Sequence, residues 1–171
     1  GNIDTNSRLC MASSVAGHVR AFGEDIVPGC YDDLELADLV VLVGSNMAWC
    51  HPILYQRLLG ARQERGTRIV VIDPRRTASC EAADLHLALR PGADVAIFAG
   101  LLRHLVECGV ASTEWVTHHT TGLDAAVAAA PSVTEAAQLA DGPLGDLARF
   151  YDWFGATRRR VTPHSQGVNQ S

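Results

Sequence analysis

The sequence predicts an α/β domain: a parallel-sheet, dinucleotide-binding (Rossmann-like) fold with helices on both faces. Three observations predict it. First, residues 39–43 (LVVLV) and 68–73 (RIVVID) are short, nearly uninterrupted apolar runs, the signature of strands buried on both faces. Second, stretches with helical spacing follow these runs, and strand–helix alternation argues for parallel pairing. Third, turn-forming loops follow the predicted strand ends, at Gly44-Ser45-Asn46, Asp73-Pro74-Arg75 and Arg90-Pro91-Gly92-Ala93-Asp94. Ligands in open α/β sheets bind along that carboxyl edge.

The elements follow in order. Asp4, Asn6 and Ser7 favour turns and caps, so residues 2–9 read as an irregular polar segment. From Met11 the spacing of Met11, Val15, Val19 and Phe22 predicts a helix with an apolar stripe, which puts Cys10 at or near a helix N-terminus. The dipole and free N–H groups there favour a thiolate, a soft metal ligand as well as a nucleophile. The polar stretch EDIVPGCYDDLELAD leads into the first strand, which Gly44 ends. A helix over about 51–64 carries Ile53, Leu54, Leu58 and Leu59 on its apolar side, has Pro52 in its first turn and stops at Gly66. After the second strand come a short helix around 79–83, a third strand over 85–89, and a helix over 94–108 with Val95, Phe98, Leu101, Leu102 and Leu105. Residues 110–157 read as several helices, one opened by a Ser132/Glu135 capping box. Residues 160–165 read as a final strand that delivers QGVNQS to the carboxyl edge.

Bulk properties exclude several functions. A net charge of −5 argues against a nucleic-acid-binding surface. No apolar run approaches the roughly 18 residues of a membrane span. The five cysteines (Cys10, Cys30, Cys50, Cys80, Cys108) show no C-x-x-C spacing, and their odd number argues against a complete disulfide framework. A reducing cytoplasmic setting follows most simply. The seven histidines are scattered without metal-ligand spacing, and none is assigned to catalysis. The 171 residues suit a single domain, 1–171, and the chain reads as an internal fragment of a larger polypeptide, starting inside one motif and stopping inside another.

At the strand ends, Gly44 lets backbone pass close to a ligand, Ser45 and Asn46 can cap and donate, and Asp73 is placed to accept from ribose hydroxyls. Arg75 and Arg76 suit phosphates, and Asp94 can serve as an N-cap. Neither G-x-G-x-x-G nor G-x-x-x-x-G-K-[ST] occurs, which argues against an ordinary NAD site or P-loop.

Five blocks, NIDTNSRLCMASSVAGH, GSNMAWCHP, VIDPRRT, LRPGAD and SQGVNQS, together resemble the molybdopterin oxidoreductases of the dimethyl-sulfoxide-reductase family, and within it the bacterial assimilatory nitrate reductases. The resemblance spans essentially the whole chain. It implies a molybdenum bis(molybdopterin guanine dinucleotide) cofactor, with Cys10 as the protein ligand to the metal. It implies cofactor contacts at Asn6, Val43, Gly44, Ser45, Asn46, Asp73, Pro74, Arg75, Thr77, Gly92, Ala93, Asp94, Gln166 and Gln170. Cys10, Gln166 and Gln170 are the implied catalytic positions, with Asn169 beside them on the substrate approach. The implied reaction is reduction of nitrate to nitrite, fed by a 4Fe-4S cluster outside this chain and by a ferredoxin, a flavodoxin or an NADH-linked reductase subunit.

Two positions depart from the family pattern: Ala93 replaces a threonine, and His164 stands where an apolar strand residue is expected. Gln166, in place of the methionine of periplasmic relatives, points to the assimilatory branch. The alternatives are a formate dehydrogenase or another oxyanion reductase of the same family, the nucleotide-fold central domain of a thiamine-diphosphate enzyme, and a pure interaction domain. A cysteine far from the strand edge would favour the thiamine-diphosphate enzyme, and an absent polar crevice the interaction domain.

Overall fold

The computed structural model describes residues 6–111, 113–165 and Val168. Two compact units divide the chain, Gly1–Ala88 with Arg159–Ser171, and Leu89–Arg158. The first holds a four-stranded, wholly parallel sheet in the order β3-β2-β1-β4.

β1 (Leu39–Val43) forms because five consecutive apolar residues can be buried on both faces, and all five are buried. It pairs along its whole length with β2 (Arg68–Ile72), Leu39 opposite Arg68 and Val43 opposite Ile72. β3 (Leu85–Leu87) lies on the outer side of β2 and is two residues shorter than its sequence suggests. β4 (Arg160–Val161) lies on the other side of β1 and is prolonged by a bridge from His164 to Val43. The chain therefore steps outward from β1 to β3 and later returns beside β1. The sheet's topological switch point falls between β1 and β4, where ligand crevices form.

One face of the sheet, Val40, Leu42, Ile69 and Val71, packs with Leu34, Met47, Tyr55 and Leu58. These come from α2 (Asp33–Leu36), α3 (Met47–Cys50) and α4 (Pro52–Arg65). Pro52 occupies the first turn of α4, and Gly66, at φ 73°, ends it in the left-handed conformation expected of a C-cap glycine. The expected apolar side of α4 is shifted. Leu54 and Leu58 pack inward, but Ile53 is 74% exposed, and Tyr55 and Ala61 take its place. The turn after β2 is a 3₁₀ segment, Ala78–Ala82, rather than an α-helix.

α1 (Asn6–Phe22) departs most from expectation. Asn6 and Ser7 are helical, not irregular, and the helix is broken at Met11, whose φ of −139° and ψ of 33° are not helical. Cys10 closes the first stretch and stands immediately ahead of the second. The apolar stripe is not buried as its spacing suggests, since Val19 and Phe22 are exposed.

The second unit is helical among its described residues: α5 (Asp94–Glu107), α6 (Thr113–His119), α7 (Leu123–Ala129), α8 (Val133–Leu139) and α9 (Leu144–Ala156). Ile97, Gly100 and Leu101 form the buried stripe of α5, whereas Val95 is 69% exposed. Asp94 is the first helical residue; the N-cap is Ala93. Gly100 is required by close approach, because a Cβ there would lie 2.7 Å from Tyr151 Oη. That hydroxyl donates to the Ile97 carbonyl at 2.6 Å, locking α9 to α5. The capping box is present: Glu135 N–H donates to Ser132 Oγ at 3.3 Å and Ser132 N–H to Glu135 Oε2 at 2.7 Å.

Candidate functional site

In the first unit the carboxyl ends of β1, β2 and β4 converge. Gly44, at φ 55°, turns the chain off β1 while its N–H still donates to the Ile72 carbonyl at 2.8 Å. Only glycine enters that conformation without strain, so the turn stays close to the strand end. Ser45 is buried and Asn46 half-buried. On the far side of β1, Val43 N–H donates to Pro163 O at 3.0 Å and Ser165 N–H donates back to Val43 O at 3.1 Å. The chain therefore reaches residue 165 beside the Gly44 turn. Gln166 and Gln170 lie outside the described residues.

Asp73, at the end of β2, is 5% exposed and held from three directions. Its N–H donates to Leu87 O at 3.2 Å, and its carbonyl lies 2.9 Å from His86 Nε2. Its Oδ1 accepts the Arg75 N–H at 2.8 Å, so the carboxylate caps its own turn. The Arg75 guanidinium reaches no closer than 4.0 Å to Asp73 and is largely exposed. Arg76 is exposed and has no partner among the described residues. Thr77 Oγ1 lies 3.8 Å from Cys80 Sγ, and Cys80 N–H donates to Thr77 O at 2.9 Å, which starts the 3₁₀ segment.

A cross-link that sequence reasoning missed joins the two loops. Ser79 Oγ accepts the Ala48 N–H at 3.0 Å and donates to Asn46 Oδ1 at 3.2 Å. No spacing rule singles out Ser79. Its signal is a serine wholly withdrawn from water, visible only in three dimensions. The His86 ring supports the Asp73 backbone, a contact the sequence does not announce.

α1 approaches the same edge. The His18 and His164 ring centroids are 6.2 Å apart, and His164 pairs with Val43. His18 Nδ1 lies 3.8 Å from Asp25 Oδ1. Cys10 is exposed, is not in a disulfide, and precedes His18 by eight residues on the broken helix. The structure describes Asn6 only as the first residue of α1. Gly92, Ala93 and Asp94 belong to the second unit, where Gly92, at φ 81°, makes the turn into α5.

The opposite edge carries the charged clamps. Arg159 donates to both oxygens of Asp38, at 2.9 and 2.6 Å, and Arg62 forks onto Asp84. The Arg159 hydrogen bond holds the Asp38 carboxyl below its usual range. Burial pushes the Asp84 carboxyl up, but the Arg62 hydrogen bond, the Ile69 N–H and the Arg62 and Arg68 charges together bring it below its ordinary value.

Among the described residues no group of three or more His, Cys, Asp or Glu converges to hold a metal, and no helix is long and apolar enough to cross a membrane.

The first unit is a parallel α/β sheet with buried polar groups on its strand-end loops, the edge along which open sheets of this kind take ligands. The family model for molybdopterin oxidoreductases matches residues 1–141, and the chain belongs to that family. It is 48% identical to a nitrate reductase of Shewanella frigidimarina, across 99% of this chain and 19% of that protein. A nitrate reductase of Klebsiella oxytoca is likewise 48% identical, with the same coverage. The chain thus spans about a fifth of the relatives it matches. Among solved structures, acetylene hydratase from Pelobacter acetylenicus superposes with a TM-score of 0.82 at 20% identity, over 95% of this chain and 22% of that one, a likeness of fold alone.

Proposed function

We propose that this chain is the cofactor-binding domain of a cytoplasmic, molybdenum-dependent nitrate reductase serving nitrate assimilation. The observation that carries the reading is 48% identity to nitrate reductases over 99% of the chain. The cofactor is taken as bis(molybdopterin guanine dinucleotide), its nucleotide resting in a Rossmann-like crevice at the β1–β2 carboxyl edge. The donor set fits that group. Asn46 supplies an amide, Asp73 a carboxylate, Arg75 and Arg76 guanidinium groups, and Gly44 a close backbone approach.

When bound, the molybdenum centre supplies oxygen-atom abstraction: nitrate, two electrons and two protons give nitrite and water. The protein supplies position and electrostatics. Cys10 is the thiolate offered to the metal. Gln166 and Gln170 are taken as substrate-side residues on the family resemblance, and Gln166 offers an amide to nitrate. A 4Fe-4S cluster outside this chain would supply the electrons, fed by a ferredoxin, a flavodoxin or an NADH-linked subunit.

The test is Cys10→Ala in the full-length enzyme. Because Cys10 is exposed, the fold should hold, while molybdenum content and nitrate turnover should collapse. Turnover near the wild-type level would refute the ligand role.

A further inference from the structure

The buried serine behind the Gly44 loop has a role that neither the family motifs nor simple packing assigns. Ser79 is 0% exposed, yet its hydroxyl is fully engaged between two loops that follow different strands. Its lone pair takes the Ala48 N–H and its proton goes to Asn46 Oδ1. Ser79 Oγ has a second lone pair that could accept an amide N–H, but the proton of a wholly buried serine would then have no acceptor, since Asn46 Oδ1 is the one it reaches among the described residues; Ser79 therefore donates to Asn46. Asn46 must then turn its oxygen to the serine. Its two N–H donors, which have no partner among the described residues, are left for something else.

We infer that Ser79 is a positioning residue that fixes the amide of Asn46 as a hydrogen-bond donor, so the bound nucleotide presents an acceptor atom to Asn46. Without Ser79, the amide of a half-buried asparagine can rotate by half a turn and exchange donor for acceptor at the same place. With Ser79, only one orientation satisfies both loops. The same bond ties the β1 loop to the β2 loop across 33 residues of sequence, so the distance between Asn46 and the Asp73 turn is set by a side chain outside the ligand contacts. This inference rests on the cofactor reading above and adds the sense of one hydrogen bond to it.

The experiment uses the full-length enzyme, isolated from a host that makes the cofactor. Molybdenum and acid-released guanine nucleotide are counted per protein after timed dialysis, with thermal unfolding measured in parallel. Ser79→Ala should speed nucleotide loss roughly threefold to tenfold, the range of one ordinary hydrogen bond. Ser79→Thr should restore retention, because it returns the hydroxyl. In an Asn46→Ala background, Ser79→Ala should add much less nucleotide loss than it causes alone, because no amide is left to orient and only the Ala48 N–H bond remains to be lost. Asn46→Asp, which keeps the acceptor toward Ser79 but removes the outward donors, should lose nucleotide as fast as Asn46→Ala.

Equal losses from Ser79→Ala with and without Asn46 would overturn the positioning role, as would unchanged retention in Ser79→Ala, whatever its unfolding temperature. Wild-type retention in Asn46→Asp would overturn the donor assignment. A wild-type enzyme carrying neither molybdenum nor guanine nucleotide would instead overturn the cofactor reading on which the inference stands.

Discussion

Replacing Asp73 by asparagine separates the charge of the β2 loop from its shape. Asp73 Oδ1 accepts the Arg75 N–H at 2.8 Å, and an asparagine oxygen can take over that bond. The backbone contacts to Leu87 and His86 do not involve the side chain and should persist. Asp73→Asn therefore removes a negative charge from a buried strand end with little reason for the fold to move. If a ribose or guanine donor bonds to the carboxylate, the loss is that of a charged hydrogen bond, about 1.5–3 kcal/mol, or roughly 10-fold to 150-fold in cofactor dissociation. The assay is molybdenum and guanine nucleotide content of the purified full-length variant, followed over time, beside its unfolding temperature. Unchanged content with unchanged stability would make Asp73 a loop-capping carboxylate and nothing more. A large fall in unfolding temperature would show that the charge, not the acceptor geometry, holds the turn, and would refute the separation argued here.

Three further outcomes follow from packing and charge. Gly100→Ala should destabilise the second unit by about 1–3 kcal/mol, since its Cβ would meet Tyr151 Oη at 2.7 Å and Ala136 Cβ at 3.1 Å; thermal unfolding should show it at about 2–4 °C per kcal/mol. Ser132→Ala should cost about 1 kcal/mol by removing the cap of α8, read from denaturant midpoints. Asp84 is held below its ordinary value in the folded protein, so its contribution to stability is fully present above the unfolded carboxyl value and is lost as pH falls through the lower, folded one. Asp84→Asn should therefore lower stability at neutral pH and flatten its decline in acid, and parallel pH–stability curves for the two proteins would contradict the clamp.

Legibility in the sequence followed the kind of constraint. β1 and β2 were plain because a strand buried on both faces needs an unbroken apolar run, and few other structures do. The Ser132/Glu135 cap was plain because its chemistry is local. Helix faces were less so. Periodicity reports that a stripe exists, but the arc that meets the core is set by neighbours, so Ile53 and Val95 were placed inward and stand outward. The break at Met11 has no glycine or proline to announce it. The strand-end loops were recognised, whereas Ser79 was not, because a bond across 33 residues depends on the parallel register that brings two loops together.

That register also explains why the two edges of the sheet differ. At the amino edge Asp38 and Asp84 are spent on the fold. Asp38 N–H donates to Arg159 O at 2.8 Å, Asp38 O accepts Arg68 N–H at 3.0 Å, and Asp84 takes both Arg62 and the Ile69 N–H. At the carboxyl edge the same parallel geometry delivers Asn46, Asp73 and Ser165 side by side. There the internal bonds use Asn46 Oδ1 and Asp73 Oδ1 and leave the Asn46 N–H₂ and the Arg76 guanidinium without partners among the described residues. Under the proposed cofactor reading, those are the groups left for the nucleotide. The asymmetry makes the amino edge an internal control for the other. Substitutions at Asp38 or Asp84 should change unfolding and leave cofactor retention per folded molecule alone, and those at Asn46 or Asp73 should do the reverse.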